Sequence, residues 1–121
     1  MSKCILIVED HEDNRRILRD LLTAKGFKTV EAMTGLEGVE MAEKFSPDLI
    51  LMDIQLPEID GYEATRRIKK IPELQGVPII AVTSYALSGD EIKAREAGCD
   101  GYVSKPFSPR ALLEIIRQKL S

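Results

Sequence analysis

The sequence predicts a doubly wound α/β protein, in which helices cover both faces of a parallel sheet. Short apolar runs alternate with longer amphipathic segments five times along the chain, and the side-chain period switches from strand to helix each time. The runs LILM and IIAV are apolar at every position, which is typical of strands buried on both faces. Parallel strands joined by right-handed crossovers satisfy both observations. At 121 residues the chain has the length of one such domain, so we expect residues 1–121 to form it without an attached output domain.

The first half of the chain supplies three strands. Residues 4–9 (CILIVE) form the first strand, and the helix after it places its apolar side chains three and four residues apart. Residues 28–32 (KTVEA) form the second strand, and Thr34 with Glu37 then matches a capping box at the start of the second helix. Residues 48–53 (DLILMD) form the third strand, whose apolar run ends on a carboxylate.

The second half supplies two more strands and the helices around them. Pro57 and Gly61 shape the loop that leads from the third strand to the next helix. Residues 77–83 (VPIIAVT) form the fourth strand and residues 101–104 (GYVS) the fifth. Two helix starts carry local signals: a capping box at Ser88 and Glu91, and a cap followed by proline at Ser108 and Pro109.

Composition excludes several classes of protein. No apolar run approaches the ~20 residues of a membrane span, and the short apolar stretch near the N-terminus is no signal peptide, so we expect a cytoplasmic protein. Cys4 and Cys99 form no metal-binding pattern, and we interpret them as structural thiols in a reducing compartment. The net charge is −3, and the one basic cluster, residues 66–70 (RRIKK), is interpreted as a solvated helix face. We therefore expect no nucleic-acid surface.

Polar side chains collect where the predicted strands end. Glu9 and Asp10 follow the first strand, Asp53 ends the third, Thr83 ends the fourth, and Lys105 follows the fifth. In an open parallel sheet, ligands bind outside the carboxyl ends of the strands, at the point where the strand order reverses. Taken singly, each residue has an ordinary structural explanation, such as a helix cap or a solvated charge. Together, at four strand ends in order, they indicate one site.

The chemistry of these residues points to a metal ion and a phosphoryl group. Three carboxylates brought together repel by roughly 4 kcal/mol per pair at 4 Å and an effective dielectric of 20, so the cluster needs a cation. Oxygen ligands in a small, partly hydrated site suit Mg²⁺. Lys105 and Thr83 add an ammonium and a hydroxyl, which suit a phosphoryl group. Asp53 could then attack phosphorus and carry the group as an acyl phosphate.

Four motifs resemble one known family. They are LIVED at 6–10, LILMDIQLPEIDGYE at 49–63, IIAVTSYA at 79–86 and GYVSKPF at 101–107. The chain resembles the receiver domain of two-component response regulators, the CheY-like fold, and most of all the stand-alone receivers that regulate cell division and polarity. The resemblance implies a flavodoxin-like (βα)5 architecture, with a five-stranded parallel sheet in the order 2-1-3-4-5.

The resemblance also implies roles for the residues at the metal site. Asp53 would be the phosphoacceptor and a ligand of Mg²⁺. Asp10 would bind the metal directly, and Glu9 would act mainly through water. Gln55 would contribute its backbone carbonyl.

A second set of implied roles concerns the response to phosphorylation. Thr83 would hydrogen-bond the phosphoryl oxygen, and Lys105 would form an ion pair with it. Tyr102 would be the aromatic residue whose rotation follows the movement of Thr83. The bond between Lys105 and Pro106 is usually cis in this family. The site residues expected in chemistry are therefore Asp53, Thr83 and Lys105, and those expected in switching are Thr83 and Tyr102.

The function implied is signalling by phosphotransfer. A histidine kinase or a histidine phosphotransfer protein would donate the phosphoryl group to Asp53 with Mg²⁺, and the chain would catalyse only its own phosphorylation and slow dephosphorylation. A downstream protein would bind the fourth helix, fifth strand and fifth helix, residues 88–120. We expect a monomer or weak dimer that binds neither nucleic acid nor membrane. Whether it is a phosphorelay intermediate or an allosteric regulator of a kinase stays open.

Three other functions share parts of this pattern. A phosphatase of the haloacid dehalogenase type also uses a strand-end aspartate, but it requires a second acid where this chain has Gln55. A flavin carrier of the flavodoxin type requires a phosphate loop after the first strand, where EDHEDNRR places four acids. A receiver that only binds partners would not need the complete acid set.

His11 is interpreted as a solvated polar residue rather than a metal ligand, and Tyr85 is expected to shield the acyl phosphate from water.

Overall fold

The chain folds into a five-stranded parallel sheet between two layers of helices. The computed structural model describes residues 2–84 and 90–121, and within these ranges no helix is long and apolar enough to cross a bilayer. The strands lie in the order β2-β1-β3-β4-β5, and every pair is parallel. The predicted architecture is confirmed. In chain order the elements are β1 Cys4–Val8, α1 Glu12–Ala24, β2 Lys28–Ala32, α2 Gly35–Phe45, β3 Leu49–Asp53, α3 Gly61–Lys69, a short 3₁₀ helix Pro72–Leu74, β4 Ile79–Thr83, α4 Asp90–Ala97, β5 Gly101–Ser104 and α5 Pro109–Leu120.

Three strands are shorter than predicted, and hydrogen bonds from backbone N–H groups to carboxylates mark two of the differences. β1 ends at Val8 rather than at Glu9: the Glu9 N–H still donates to the Ala32 carbonyl at 3.0 Å, but the His11 N–H donates to the Glu9 carboxylate at 3.1 Å and the chain turns away after Glu9. β3 begins at Leu49 rather than at Asp48, whose carboxylate accepts the Cys4 N–H at 2.7 Å. β4 begins at residue 79, two residues later than predicted. The strands β2 and β5 have the predicted bounds.

Each face of the sheet has its own hydrophobic core. Successive side chains of a strand point to opposite faces, so β1 and β3 supply apolar residues to both cores. One core lies between the sheet and the helices α2, α3 and α4, and the other lies between the sheet and the helices α1 and α5. The first core includes Leu6, Val8, Ile50, Met52, Ile68 and Ile79. The second includes Ile5, Ile7, Leu22, Leu49, Leu51, Ile80 and Ile116.

The predicted helix starts are formed with one difference. Thr34 accepts the Glu37 N–H at 3.0 Å, but the Glu37 carboxylate accepts the N–H of Met33 at 2.7 Å, one residue before the N-cap. The second hydrogen bond of the capping box therefore goes to the residue before the N-cap rather than to the N-cap itself. Ser108 caps α5 as predicted by accepting the N–H three residues on, at 3.0 Å. The cap predicted at Ser88 lies outside the described residues.

The basic cluster RRIKK is only partly a solvated face. Arg66 and Arg67 share the carboxylate of Glu63, at 3.1 and 2.9 Å. Lys69 turns away from solvent, and its ammonium bonds the Val77 carbonyl at 2.8 Å and the Asp100 carboxylate at 3.2 Å. This lysine joins the end of α3 to the turn before β5. The interpretation as a solvated helix face therefore holds for Arg66 and Arg67 and is wrong for Lys69.

The start of α3 lies directly on the end of β3. Gly61 is the first residue of this helix, and its N–H donates to the Ile54 carbonyl at 2.9 Å. A Cβ atom on Gly61 would lie 2.8 Å from the Ile54 Cα and would overlap the carbonyl oxygen of Asp53. Glycine at this position therefore lets the helix approach the backbone of the strand-end aspartate.

The substitution Gly61→Ala should destabilise the protein because an added methyl group has no room. We expect the free energy of unfolding, measured by urea denaturation, to fall by about 1–3 kcal/mol, the usual range for overpacking. The matched control is Gly76→Ala, where an added Cβ would meet nothing within 4 Å and the change should stay within about 0.5 kcal/mol. Equal effects at the two glycines would contradict the close approach.

Candidate functional site

Backbone hydrogen bonds fix the positions of the residues just beyond the strand ends. The Glu9 N–H donates to the Ala32 carbonyl at 3.0 Å, and the Lys105 N–H donates to the Thr83 carbonyl at 2.6 Å. Asp53, the last residue of β3, pairs with Val82 of β4. The sheet ladder therefore continues to the edge of the site, and the side chains there are held by the strands rather than by mobile loops.

Two buried carboxylates share one ammonium group at this edge. The Lys105 Nζ lies 2.7 Å from Glu9 Oε1 and 3.5 Å from Asp53 Oδ2. Glu9 is 2% exposed and Asp53 is 6% exposed, so neither charge is well solvated. The structure thus brings together three residues that the sequence predicted to converge. Two negative charges against one positive charge leave the cluster negative by one.

Burial and charge act differently on the three groups. Burial, with the charge of Glu9 in second place, raises the pKa of Asp53 to about 6 against the opposing effect of Lys105. Burial also favours the neutral form of Glu9, but hydrogen bonds from Lys105 and the His11 backbone outweigh it and hold the pKa of Glu9 below its ordinary value. Burial likewise disfavours charge on Lys105, yet its bond to Glu9 raises the pKa of this ammonium. Glu9 and Lys105 therefore form the ion pair, and Asp53 carries the unbalanced charge.

The loop after β3 donates a hydrogen bond to the second carboxylate oxygen of Asp53. Asp53 Oδ1 accepts the Gln55 N–H at 3.1 Å. Two residues further on, Pro57 is followed by Glu58 in the left-handed conformation at φ 69. The aspartate side chain is thereby held by Lys105 on one oxygen and by the loop backbone on the other. The Gln55 side chain is exposed, and the metal-binding role of its backbone carbonyl stays a prediction.

An arginine that the sequence reasoning missed secures the other side of the site. Arg15 on α1 donates to the Glu9 carbonyl at 3.0 Å and pairs with Glu31 of β2 at 3.0 Å. It therefore ties the end of β1 to its neighbouring strand. The only sequence signal was the pair Arg15 and Arg19, one helical turn apart, which both reach Glu31. Nothing local links that pair to a glutamate in the next strand.

The donor atoms present at the edge suit a hard cation. One ligand atom from each of Glu9, Asp10 and His11 lies within 4.8 Å of the other two, with Glu9 buried and Asp10 exposed. With Asp53, three carboxylates face an edge that Lys105 neutralises only in part. Carboxylate oxygens with room for water are the environment that Mg²⁺ prefers. The residues therefore fit the predicted metal.

Thr83 and Tyr102 lie on the same face of the sheet. Thr83 is 2% exposed at the end of β4 and pairs with Ser104, while Tyr102 pairs with Ala81. Residues two apart on a strand share a face, so the threonine and the tyrosine both face α2, α3 and α4. Tyr102 is half-buried against that core. The bond between Lys105 and Pro106 is cis, as the resemblance implied, and Tyr85 lies outside the described residues.

Because Asp53 carries the unbalanced charge, Asp53→Asn should stabilise the metal-free protein at high pH. Its folded pKa of about 6 exceeds the ordinary 3.8, so stability falls as pH rises between these values and the full penalty persists above them. In EDTA at about pH 8, we expect the variant's free energy of unfolding to exceed the parent's by about 1–3 kcal/mol. At about pH 4 most of this difference should vanish.

The control for this measurement is Asp20→Asn, which removes an exposed carboxylate of α1. It should change stability by less than about 0.5 kcal/mol at either pH. A parent protein that is more stable than Asp53→Asn at high pH would contradict the assignment of the unbalanced charge.

Comparison with known proteins agrees with this geometry. The family model of the response regulator receiver domain matches residues 5–117. The polar-differentiation response regulator DivK of Brucella ovis is 47% identical over 120 residues, covering 99% of this chain and 98% of that protein. Among solved structures, the receiver domain of sensor histidine kinase PA1611 from Pseudomonas aeruginosa, with a magnesium ion coordinated in its active-site cleft, is 37% identical with a TM-score of 0.92, covering 99% of this chain and 98% of that one.

A second solved structure from another organism shows the same similarity. The CheY-like receiver domain protein from Methanospirillum hungatei is 35% identical with a TM-score of 0.92, covering 99% of this chain and 94% of that one. The fold agrees with that of these solved structures. The chain therefore belongs to the response regulator receiver domain family of two-component signalling.

Proposed function

We propose that Asp53 is the phosphoacceptor of this receiver domain. The observation that carries the proposal is a buried carboxylate, held on both oxygens, whose charge Lys105 neutralises only in part. An oxygen of Asp53 attacks phosphorus and the phosphorus–nitrogen bond to a donor histidine breaks. The electron pair of that bond stays on the imidazole, which takes up a proton. The product is an acyl phosphate on the aspartate.

Lys105 and Thr83 stabilise the group that arrives. The ammonium of Lys105 already lies 3.5 Å from Asp53 Oδ2, so it is placed to pair with a phosphoryl oxygen. Thr83 is buried one strand away, and its backbone carbonyl is bonded to the Lys105 N–H. A movement of either residue is therefore transmitted to the other. The hydroxyl of Thr83 supplies a hydrogen bond once the phosphoryl group is present.

Glu9, Asp10, Asp53 and the backbone carbonyl of Gln55 would hold Mg²⁺. A bound Mg²⁺ neutralises charge on the phosphoryl oxygens during transfer. The magnesium ion in the active-site cleft of the PA1611 receiver domain supports this proposal. In this chain Glu9 is also bonded to Lys105, so its carboxylate orients the lysine and would reach the metal through water.

Family membership favours this function over the alternatives that the sequence left open. A phosphatase of the haloacid dehalogenase type requires a second acid at the position of Gln55, whose N–H here serves only to hold Asp53. A flavin carrier would need free amides after β1. Instead, the His11 N–H is taken by a carboxylate. A receiver that only binds partners would not need Glu9, Lys105 and Asp53 in one buried cluster.

A protein donor must bring its phosphohistidine to this edge, and we propose that it docks in the hollow beside Lys105. The hollow has a volume of about 300 Å³. Ile17 of α1 lies in its wall and is 58% exposed, which leaves an apolar contact for a donor helix. Its lining residues are Glu9, Asn14, Ile17, Leu18, Lys105, Pro106 and Phe107.

The downstream signal is proposed to leave through α4, β5 and α5. Tyr102 joins this surface to the face of the sheet that Thr83 occupies. The phosphoryl group can shift the conformational equilibrium only by its differential interaction with the two states. The DivK relative is a polar-differentiation response regulator, which supports a target in the control of cell polarity. The free thiols of Cys4 and Cys99 support action in the cytoplasm. We propose that the protein acts as a monomer or weak dimer.

The assignment of the phosphoacceptor is tested by labelling with radioactive acetyl phosphate and Mg²⁺. Asp53→Asn should accept no phosphoryl group while keeping the parent's circular dichroism spectrum, because an amide oxygen is a far weaker nucleophile than a carboxylate. The control Asp20→Asn removes an exposed carboxylate of α1 and should label as the parent does. Labelling of Asp53→Asn at another residue would show that the assignment is wrong.

The transmission route is tested by adding beryllofluoride, a phosphoryl mimic, to isotope-labelled protein. We expect backbone chemical shifts to change in residues 88–120 as well as in the loops after β1, β3 and β5, since Thr83 and Tyr102 share a face. Tyr102→Ala should shrink the distant changes and leave those near Asp53. Changes confined to the three loops in the parent protein would refute the route.

A further inference from the structure

Arg15 holds the stretch of backbone that carries two of the proposed metal ligands. Its guanidinium donates to the Glu9 carbonyl at 3.0 Å and to the Glu31 carboxylate at 3.0 Å. The pairing of β1 with β3 ends at Val8, so the Glu9 carbonyl lies beyond the ladder of these strands and accepts its hydrogen bond from the arginine instead. The side chain of Arg15 is only 12% exposed, which limits its freedom to exchange these partners for water.

Two hydrogen bonds to the backbone of Glu9 fix the peptide group that joins it to Asp10. The Glu9 N–H donates to the Ala32 carbonyl at 3.0 Å, and the Glu9 carbonyl accepts from Arg15. Ala32 and Glu31 both belong to β2, so Glu9 is tied to that strand directly on one side and through Arg15 on the other. Because the orientation of this peptide group sets the direction in which the next side chain leaves the backbone, the two bonds also orient Asp10.

Asp10 depends on this backbone more than the other proposed carboxylate ligands do. Glu9 and Asp53 are buried, and hydrogen bonds hold both of their carboxylates. The side chain of Asp10 is exposed, and in the part of the chain that the structure describes no hydrogen bond or ion pair holds its carboxylate. The position of its oxygens is therefore set by the backbone.

We propose that Arg15 is a positioning residue for the metal site, which orients Asp10 for Mg²⁺ without touching the ion. This inference rests on the proposed function, because Asp10 is assigned there as a ligand of Mg²⁺. Loss of a residue that orients a metal ligand typically lowers metal affinity by about 10–100-fold. Glu31 in turn fixes the guanidinium, since its carboxylate accepts from Arg15 Nε while Nη1 donates to Glu9.

The charge of Arg15 acts in the opposite direction to its positioning role. A guanidinium near the site repels a cation, so removal of the charge alone would strengthen the binding of Mg²⁺. Loss of the contact with the Glu9 carbonyl would weaken it. The sign of the change in affinity therefore separates the two effects.

Arg19 provides a matched control for a purely structural role of Arg15. It lies one helical turn further along α1 and pairs with the same carboxylate, Glu31, at 3.5 Å. Its guanidinium has no hydrogen bond to Glu9 among the residues that the structure describes. Arg19→Met therefore removes a cation of α1 and an ion pair to β2, as Arg15→Met does, but leaves the Glu9 carbonyl bonded.

The test is a titration of the unphosphorylated, isotope-labelled protein with MgCl₂, followed by its amide chemical shifts. We expect Arg15→Met to raise the dissociation constant of Mg²⁺ about tenfold, and Arg19→Met to leave it within about twofold of the parent's. Arg15→Lys keeps the charge but replaces the planar fork by a single ammonium, so it should give an intermediate increase, and it serves as the second variant if Arg15→Met does not fold. Labelling by acetyl phosphate should be slower in Arg15→Met at limiting Mg²⁺ and should reach the parent's rate at saturating Mg²⁺.

Any other pattern overturns the inference. An unchanged or lower dissociation constant in both Arg15 variants would show that the arginine does not orient a ligand. Equal increases in Arg15→Met and Arg19→Met would assign the effect to the ion pairs with Glu31 rather than to the contact with Glu9. A labelling rate that stays low at saturating Mg²⁺ would show that Arg15 acts on the reaction itself. Failure of the parent to bind Mg²⁺, or equal binding by Asp10→Asn, would overturn the proposed metal site and this inference with it.

Discussion

The site depends on one ammonium group placed between two buried carboxylates. Lys105 lies 2.7 Å from Glu9 and 3.5 Å from Asp53, and both carboxylates are nearly inaccessible to water. Removing one partner of a buried ion pair typically costs about 3–5 kcal/mol, because the other charge remains buried without compensation. The order of the strands makes the contact possible, since β1 and β3 are neighbours and β5 reaches them across β4. The fold therefore maintains, at a cost in free energy, an electrostatic arrangement that packing alone would not favour.

One negative charge of this cluster is not neutralised, and this excess charge explains how the site works. Asp53 carries the charge that Lys105 does not neutralise, and burial raises its pKa to about 6. A cation or a phosphoryl group held by a cation relieves the imbalance, so binding is linked to the electrostatic state of the cluster. Thr83 and Lys105 are bonded through the backbone, and Thr83 shares a sheet face with Tyr102. These two contacts form the route by which we propose that a local change of charge reaches the helices on one side of the sheet.

The sequence predicted the sheet and the residues at its edge because both follow from local patterns. Apolar runs marked the strands, and parallel topology brings their carboxyl ends together whatever their separation in the chain. The bond from Lys105 to Glu9 spans 96 positions, and convergence was predictable although the pairing itself was not. Contacts between side chains of distant elements escaped prediction for this reason, as with Arg15 and Glu31. Lys69 likewise looked like a surface charge, because its partners lie in the segments that follow α3.

The central claim is that Asp53 becomes an acyl phosphate, and the chemistry of that bond gives its most direct test. Borohydride reduces an aspartyl phosphate to homoserine and leaves free aspartate unchanged. The protein is incubated with Mg²⁺ and acetyl phosphate, reduced with borohydride, digested and sequenced by mass spectrometry. The account predicts homoserine at position 53, and only after treatment with both Mg²⁺ and the donor. Homoserine at position 10, or a stable phosphate on a serine, threonine or histidine with position 53 unmodified, would contradict it.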